Sequence, residues 1–142
     1  MSHVVTVTCG KGVWDQTAVE EALKILGWPV TSWIGKDIQV AGERRLRSGL
    51  VIQLPGWRYP WVLGEEEGER RNYHEVFPWH GDKPNLTKLQ ELQAFQDAYN
   101  KVMHGRDQAV AQTIRQVAQR RGERCRTISE DQDAIVLEVT TE

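Results

Sequence analysis

The feature that most constrains the fold is a long helical repeat in the second half of the chain. Apolar residues recur at three- and four-residue spacing from Leu86 through Phe95 to Met103, and the repeat resumes from Val110 to Ala118. This spacing places them along one side of a helix. Gly105 stands between the two runs and is a candidate interruption. The repeat therefore predicts a long helical region with one apolar face, which needs another layer of the protein to cover it.

Strand patterns lie on both sides of this repeat. Near the N-terminus, Thr17 with Glu20 forms a capping-box pattern, with Asp15 as a competing cap, and predicts a helix of about ten residues that Gly27 ends. The chain ends in a predicted hairpin, 125–129 with 134–140. Alternating or compact apolar stretches predict the other strands, at 3–8, 38–40, 50–54 and 57–63.

In chain order the predicted elements are β-α-β-β-β-α-β-β. This order favours an α+β fold, with an antiparallel sheet of about five to six strands and helices packed on one face. The 142 residues are the usual size of one domain, so we expect a single domain over residues 1–142. Residues 64–84 carry charges, prolines and glycines without strand or helix periodicity. They predict a long loop, and long loops in compact domains are often functional.

Composition narrows the classes of function. A net charge of −2 gives no general affinity for polyanions. No apolar run approaches the roughly 20 residues that cross a bilayer, so we expect no membrane partner. The N-terminus lacks the pattern of a signal peptide. Cys9 and Cys125 lie far apart in the sequence, which favours a cytoplasmic protein with free thiols. A bridge between them stays open, since both could lie in neighbouring strands.

Tryptophan is the unusual component, because five of the six tryptophans fall between Trp28 and Trp79. Tryptophan is among the side chains most used as interface anchors. Pro60 cannot donate a ladder hydrogen bond and predicts that the strand at 57–63 lies at a sheet edge, with alternate rings on one face. We expect Trp14, Trp28 and Trp33 to be core residues. The predicted partner-binding residues are Trp57, Tyr59, Trp61, Phe77 and Trp79. An alternative is that Phe77 and Trp79 fold back over the core.

A second candidate surface is electrostatic. Between Gln112 and Arg126 the chain carries five arginines and one acid, Glu123. Such a block steers an encounter with an oppositely charged partner, and the alternative is a set of intramolecular ion pairs. The five residues are Arg115, Arg120, Arg121, Arg124 and Arg126.

The chain shows no complete pattern for catalysis, a cofactor or a metal. The stretch 10–12 follows a strand but lacks the spacing of a Walker loop or of a dinucleotide-binding loop. Cys9 has no histidine neighbour in sequence. His74, His80 and Asp82 lack the tight ligand pairs of structural zinc sites. We therefore expect no catalytic residues, no cofactor and no metal.

The order of several short motifs resembles a known family. The chain opens with Met1-Ser2-His3-Val4-Val5-Thr6-Val7, its first helix ends in Ile25-Leu26-Gly27-Trp28, and Gly56-Trp57 to Leu63-Gly64 follows. Ala98-Tyr99-Asn100 and Arg121-Gly122 then precede the terminal hairpin. This order is similar to that of a plastid and cyanobacterial family of small Met-Ser-His-opening proteins of unknown function. Its bacterial relatives tend to be encoded near AAA+ ATPases, so the resemblance implies a protein partner, such as an AAA+ ATPase.

Together these patterns predict a non-catalytic protein-binding protein, of adaptor or regulatory type, that acts through an aromatic edge-and-loop surface. Modulation of a larger molecular machine, host machinery included, fits this prediction. One alternative is a single-stranded nucleic-acid-binding protein that uses the same aromatic rings with Arg44, Arg45 and Arg47. A further alternative is a small enzyme that uses Cys9 or the loop histidines.

Overall fold

A computed structural model describes residues 1–8, 13–28, 32–40, 46–53, 60–73, 79–80, 83–84 and 86–141, without the side chains of 32, 79–80, 83–84 and 86–89. These residues form two helices and nine strand segments. The helices are α1 (Gln16–Ile25) and α2 (Leu86–Arg120). The strands are β1 (Ser2–Val7), β2 (Ser32–Gln39), β3 (Leu46–Ile52), β4 (Trp61–Glu66), β5 (Glu69–Tyr73), β6 (Trp79–His80), β7 (Lys83–Pro84), β8 (Arg124–Glu130) and β9 (Ile135–Thr140).

The chain forms two compact units. The first, called the terminal unit, contains Met1–Lys11 and Asn100–Glu142. The second, called the central unit, contains Gly12–Tyr99. The boundary falls inside α2, so one helix contributes its first part to the central unit and its second part to the terminal unit.

The terminal unit is a three-stranded antiparallel sheet in the order β1-β9-β8, with a helix on one face. Every second residue of β9 is buried, starting at Ile135. Ile135, Leu137 and Val7 form a core cluster with Ala111 of α2. The alternation is the pattern expected of a strand that has one covered face, and it explains why the sequence predicts this hairpin well.

The central unit is a four-stranded antiparallel sheet in the order β2-β3-β4-β5. Leu50 pairs with Leu63 in the ladder, and Ile52 pairs with Trp61, so these four side chains share one face of the sheet. The ring of Trp61 lies 5.6 Å from that of Phe95, which brings α2 onto this face. The opposite face carries a second cluster, formed by Val40, Val51 and Val62.

Helix α1 is capped by Asp15, the alternative cap, rather than by the predicted capping box of Thr17 and Glu20. The Asp15 side chain accepts a hydrogen bond of 2.9 Å from the Ala18 amide, so Asp15 is the N-cap and Thr17 lies within the first turn. The helix buries Ala18, Val19, Ala22 and Leu23. Gly27 adopts a φ of 71°, the left-handed conformation that commonly follows a helix end.

Helix α2 is continuous over 35 residues, and Gly105 does not interrupt it. A Cβ built at Gly105 would meet nothing within 4 Å, so no close packing requires glycine there. Its cost relative to alanine is about 1 kcal/mol, which the packing of the long helix outweighs. Neither described helix combines the length and the apolar character needed to cross a membrane.

The α+β class is confirmed, whereas the predicted single sheet is wrong. The described residues form seven antiparallel strands in two sheets, together with the two-residue pair β6–β7. Most of the difference comes from residues 64–84, predicted as a loop. Here β4 continues to Glu66 and β5 returns from Glu69, joined by Glu67 and Gly68 with positive φ values. The segment 69–73 is polar and only partly buried, so it has no apolar alternation that would predict a strand.

Candidate functional site

Trp14 is held in place within the central unit by an aromatic cluster. Its ring lies 4.7 Å from that of Tyr99, edge-on, and 6.0 Å from that of Phe95. Its indole N–H donates a 3.0 Å hydrogen bond to the carbonyl oxygen of Arg71. The Tyr99 hydroxyl in turn accepts a hydrogen bond from the Asp15 amide at 3.1 Å. These contacts satisfy the polar end of the indole while leaving the ring half-buried.

Beside Trp14 lies an open cavity of about 400 Å³, called the Trp14 groove. Ile34, Leu50 and Leu63 form one cross-strand row of the sheet, and all three line the groove. Leu50 and Leu63 are buried and form its floor, whereas Ile34 is 75% exposed at its rim. Val13, 57% exposed, lines it next to Trp14. The volume falls within the roughly 300–1,000 Å³ typical of ligand sites.

Two glycines give the groove its backbone lining. Gly49 and Gly64 lie side by side on β3 and β4 and both line the cavity. A Cβ built at Gly49 would overlap the carbonyl oxygen of Leu63, and one built at Gly64 would lie 2.9 Å from the carbonyl oxygen of Ser48. The two strands can therefore approach this closely only without side chains at these positions.

The polar side chains that line the groove are few. They are Gln16, Ser48 and Glu65. Ser48 and Glu65 are exposed, and Glu65 begins the acidic stretch of the β4–β5 hairpin. The groove is thus an apolar surface with a carboxylate on its margin, an arrangement that suits apolar groups next to a cation.

The basic residues of the hairpin are already engaged. The Arg70 guanidinium lies 5.3 Å from the Trp14 ring centroid and 5.1 Å from that of Tyr99, within cation–π range. Arg71 forms an ion pair with Glu69 at 3.1 Å. Of these charged residues, Glu65 lines the groove, and Arg70 is its cross-strand partner in the β4–β5 ladder.

On the other side of this sheet, Tyr73 is held by opposing charges. The Arg47 guanidinium lies 4.0 Å from the centroid of its ring, and its hydroxyl donates a 3.3 Å hydrogen bond to Glu66. Burial raises the pKa of Tyr73 above its ordinary value, the positive charge of Arg47 opposes this, and Glu66 adds to the increase. Tyr73 is therefore a neutral hydrogen-bond donor at neutral pH, and it helps to fix the acidic hairpin.

The structure contradicts one of the predicted partner-binding residues. Trp61 is 0% exposed, and its strand β4 lies between β3 and β5 rather than at an edge. Pro60 directly precedes the strand, a position where the missing N–H costs no ladder bond. Trp61 is a core residue, so its ring is not available to a partner.

The other predicted aromatic contacts remain predictions. Trp57, Tyr59 and Phe77 lie outside the described residues, and for Trp79 only the backbone, in β6, is described. Among the tryptophans expected in the core, Trp33 is 39% exposed, so this expectation is wrong for Trp33. Trp14 and Trp28 are half-buried.

Part of the arginine block is engaged within the terminal unit. Arg126 forms an ion pair with Glu138 at 2.8 Å, and Arg115 donates to the Thr127 hydroxyl at 2.8 Å. Arg124 also has an interaction partner. Arg120 and Arg121 are exposed near the end of α2. Intramolecular contacts thus account for several of these arginines, and steering of a partner by the block stays a prediction.

The residues considered for catalysis fall mostly outside the described part of the chain. Cys9 and His74 are not described, and neither is the side chain of His80. Cys125 is a half-buried free thiol. Among the described residues, no group of three or more histidine, cysteine or acidic side chains lies close enough together to hold a metal ion. The enzyme and nucleic-acid alternatives therefore stay untested.

The Trp14 groove was missed from the sequence because its parts come from four separate segments. Two signals pointed towards it. Trp14 directly precedes the helix cap, where an apolar residue commonly fixes the direction of the incoming chain. Gly49 and Gly64 interrupt strand-like stretches, which is typical of a close approach of two backbones.

No protein-family model, curated protein or solved structure matches the chain.

Proposed function

We propose that the protein is a non-catalytic binding protein, of adaptor or regulatory type, that holds a segment of a partner protein in the Trp14 groove. The observation that carries this proposal is the exposure of Ile34 and Val13, at 75% and 57%, on the rim of an open apolar cavity. Contiguous exposed apolar surface with a polar margin marks interaction sites on soluble proteins. Strands of a sheet form most of the groove and hold its lining residues in fixed positions. Such a rigid site favours binding of a partner segment by shape complementarity.

Charge favours a partner segment with a basic residue. Over residues 65–71 there are four glutamates and two arginines, which gives a net charge of −2. Arg71 pairs with Glu69 and Arg70 lies over the Trp14 and Tyr99 rings, whereas Glu65 is the charged residue that lines the cavity. A bulky apolar side chain with a lysine or arginine close to it would fill the groove and pair with Glu65.

Four of the five predicted aromatic contacts remain part of the proposed binding surface. In addition to the groove residues, the proposed partner-binding residues include Trp57, Tyr59, Phe77 and Trp79. Trp61 is excluded by its burial. A cytoplasmic partner that belongs to a larger machine, such as an AAA+ ATPase, is consistent with the resemblance noted in the sequence.

A peptide-display selection tests the groove directly. Ser48→Trp places a ring in the groove from an exposed strand position, and Ser129→Trp makes the same change at an exposed position of β8 in the terminal unit. We expect peptides selected on the wild type to combine a bulky apolar residue with a nearby lysine or arginine. They should bind Ser129→Trp as tightly as wild type and Ser48→Trp at least about tenfold more weakly, a loss of roughly 1.4 kcal/mol.

Two results of the selection would contradict the proposal. Peptides that bind Ser48→Trp and wild type equally would place binding elsewhere on the protein. Peptides that are enriched in acidic residues would contradict the role of Glu65.

A further inference from the structure

Among the described residues, strand β2 forms an edge of the central sheet. It exposes apolar side chains on both of its faces. Trp33 and Ile34 are successive residues, so they point to opposite sides of the strand. They are 39% and 75% exposed. Edge strands are usually protected by charges, prolines or bulges, because unpaired backbone groups invite another strand.

In β2, the feature that protects against pairing with another strand is a bulge, and it lies only in the second half of the strand. The pairing with β3 shifts register between Gly35 and Ile38, and Asp37 there adopts a φ of 55°. Such a bulge distorts the outer edge of a strand and discourages further pairing. The first half, Ser32–Gly35, keeps a regular register with β3 and remains suited to pairing.

We propose that this half of β2 pairs with the same strand of a second copy of the chain, antiparallel and centred on Ile34. A two-fold axis perpendicular to the sheet keeps each residue on its own face, which requires partners of the same parity. Ile34 then lies against Ile34 of the second copy, and Trp33 lies against Gly35 of the second copy. An aromatic ring across from a strand glycine covers the bare backbone, a pairing that stabilises sheets.

The charges of β2 tolerate this arrangement. With Ile34 on the axis, the two Lys36 residues lie four residues apart along the paired strands, about 14 Å. This separation exceeds the Debye length of about 8 Å at physiological ionic strength, so their repulsion is screened. Lys36 therefore disfavours registers whose axis lies at or next to Lys36, in which the two ammonium groups would lie closer together.

The small contact area between the two β2 strands limits the affinity of the dimer. Three residues of each copy, 33–35, pair within this regular half, against 20–30 on each side of a standard interface, so the association belongs to the weak class. We expect a dissociation constant on the order of 100 µM. The two Trp14 grooves would lie on the same side of the joined sheet, so a dimer would present two binding grooves to one partner. This inference does not depend on what the grooves bind.

Sedimentation velocity over about 10 µM to about 1 mM full-length protein tests the dimer. The wild type should show a growing dimer fraction, and Ile34→Lys should stay monomeric, because two like charges would meet on the axis. Ile128→Lys is the matched control: Ile128 is 48% exposed on β8, and this variant should dimerise like the wild type. A monomeric wild type, or a dimer that Ile34→Lys leaves intact, would overturn the proposal.

Cysteine cross-linking tests the register. Under mild oxidation, Ile34→Cys should form a disulfide-linked dimer well above the background of the wild type, whose own cysteines provide the baseline. Lys36→Cys should not, since its two copies lie about 14 Å apart. Equal cross-linking by the two variants would contradict the register. Ser48→Trp should dimerise normally, which separates a failed dimer from a failed groove.

Discussion

At the scale of single residues, the clearest requirement is for glycine at position 49. A Cβ there would overlap the carbonyl oxygen of Leu63, and φ is 153°. We expect Gly49→Ala to lower the free energy of unfolding by about 2–3 kcal/mol, since the ladder must shift to relieve the overlap. Gly105→Ala is the control, because its Cβ meets nothing within 4 Å and alanine favours helix; it should stabilise by about 1 kcal/mol. Urea unfolding measures both, and a neutral Gly49→Ala would contradict the close approach of β3 and β4.

The turn between β8 and β9 makes stability depend on pH. Asp131 accepts hydrogen bonds from the amides of Asp133 and Ala134 at 2.8 and 2.9 Å. These bonds favour the charged form and lower the pKa of Asp131 below its ordinary value of 3.8. The stabilisation is therefore present above pH 3.8 and is lost as the pH falls through the lower pKa of the folded state.

Melting temperatures of wild type and Asp131→Ala between neutral and acidic pH check this dependence. We expect the variant to melt lower at neutral pH and the difference to shrink below pH 3.8. Asp131→Asn keeps an acceptor oxygen that does not titrate, so it should lose less than Asp131→Ala. A difference that grows as the pH falls would give the opposite sign and contradict the turn geometry.

Residue-level patterns also show where sequence reasoning fails. The sequence predicts a capping box at Thr17 and Glu20 first, with Asp15 as the competing cap, and the structure has Asp15 as the N-cap. Both residues have the side-chain chemistry of a cap, so local sequence does not decide between them. Trp61 was misplaced, because a proline just before a strand is compatible with an edge and with the first position of an interior strand. Only the pairing of β4 with both β3 and β5 decides between them.

At the scale of elements, periodic segments were predictable and polar ones were not. Helix α2 and the β8–β9 hairpin have apolar residues at the spacing of their secondary structure, so their positions follow from sequence. Strand β5 reads Glu-Arg-Arg-Asn-Tyr, and its pairing with β4 accounts for its strand conformation. Its stability comes from that ladder and from the charge pairs of the hairpin, which no local pattern reveals.

At the scale of the whole molecule, the assignment of strands to two sheets depends on contacts far apart in the chain. Strand β1 pairs with β9 across nearly the full length of the sequence, whereas β2 to β5 pair with their neighbours. The Trp14 groove depends on the same long-range arrangement, since it needs residues 13–16 beside three strands. The patterns along the sequence predict the individual helices and strands. They do not predict how the strands are divided between the two sheets.

The expectation of a single domain can be tested by comparing the unfolding of the two units. All six tryptophans lie within Gly12–Tyr99, and both cysteines lie in the terminal unit. Tryptophan fluorescence and thiol reactivity therefore report on different units. Because α2 contributes to both, we expect the two probes to give coincident urea transitions, the test of two-state behaviour. Separate midpoints would show two independent domains.

The central claim is that the Trp14 groove binds a segment of a partner protein. An NMR titration of the full-length protein with a peptide selected by display tests it most directly. We predict that the largest backbone amide shifts fall on Ser48, Gly49, Gly64 and Glu65, which line the groove. Ser48→Trp should abolish these shifts, and Ser129→Trp should preserve them. Shifts confined to other surfaces, or unchanged by Ser48→Trp, would contradict the claim.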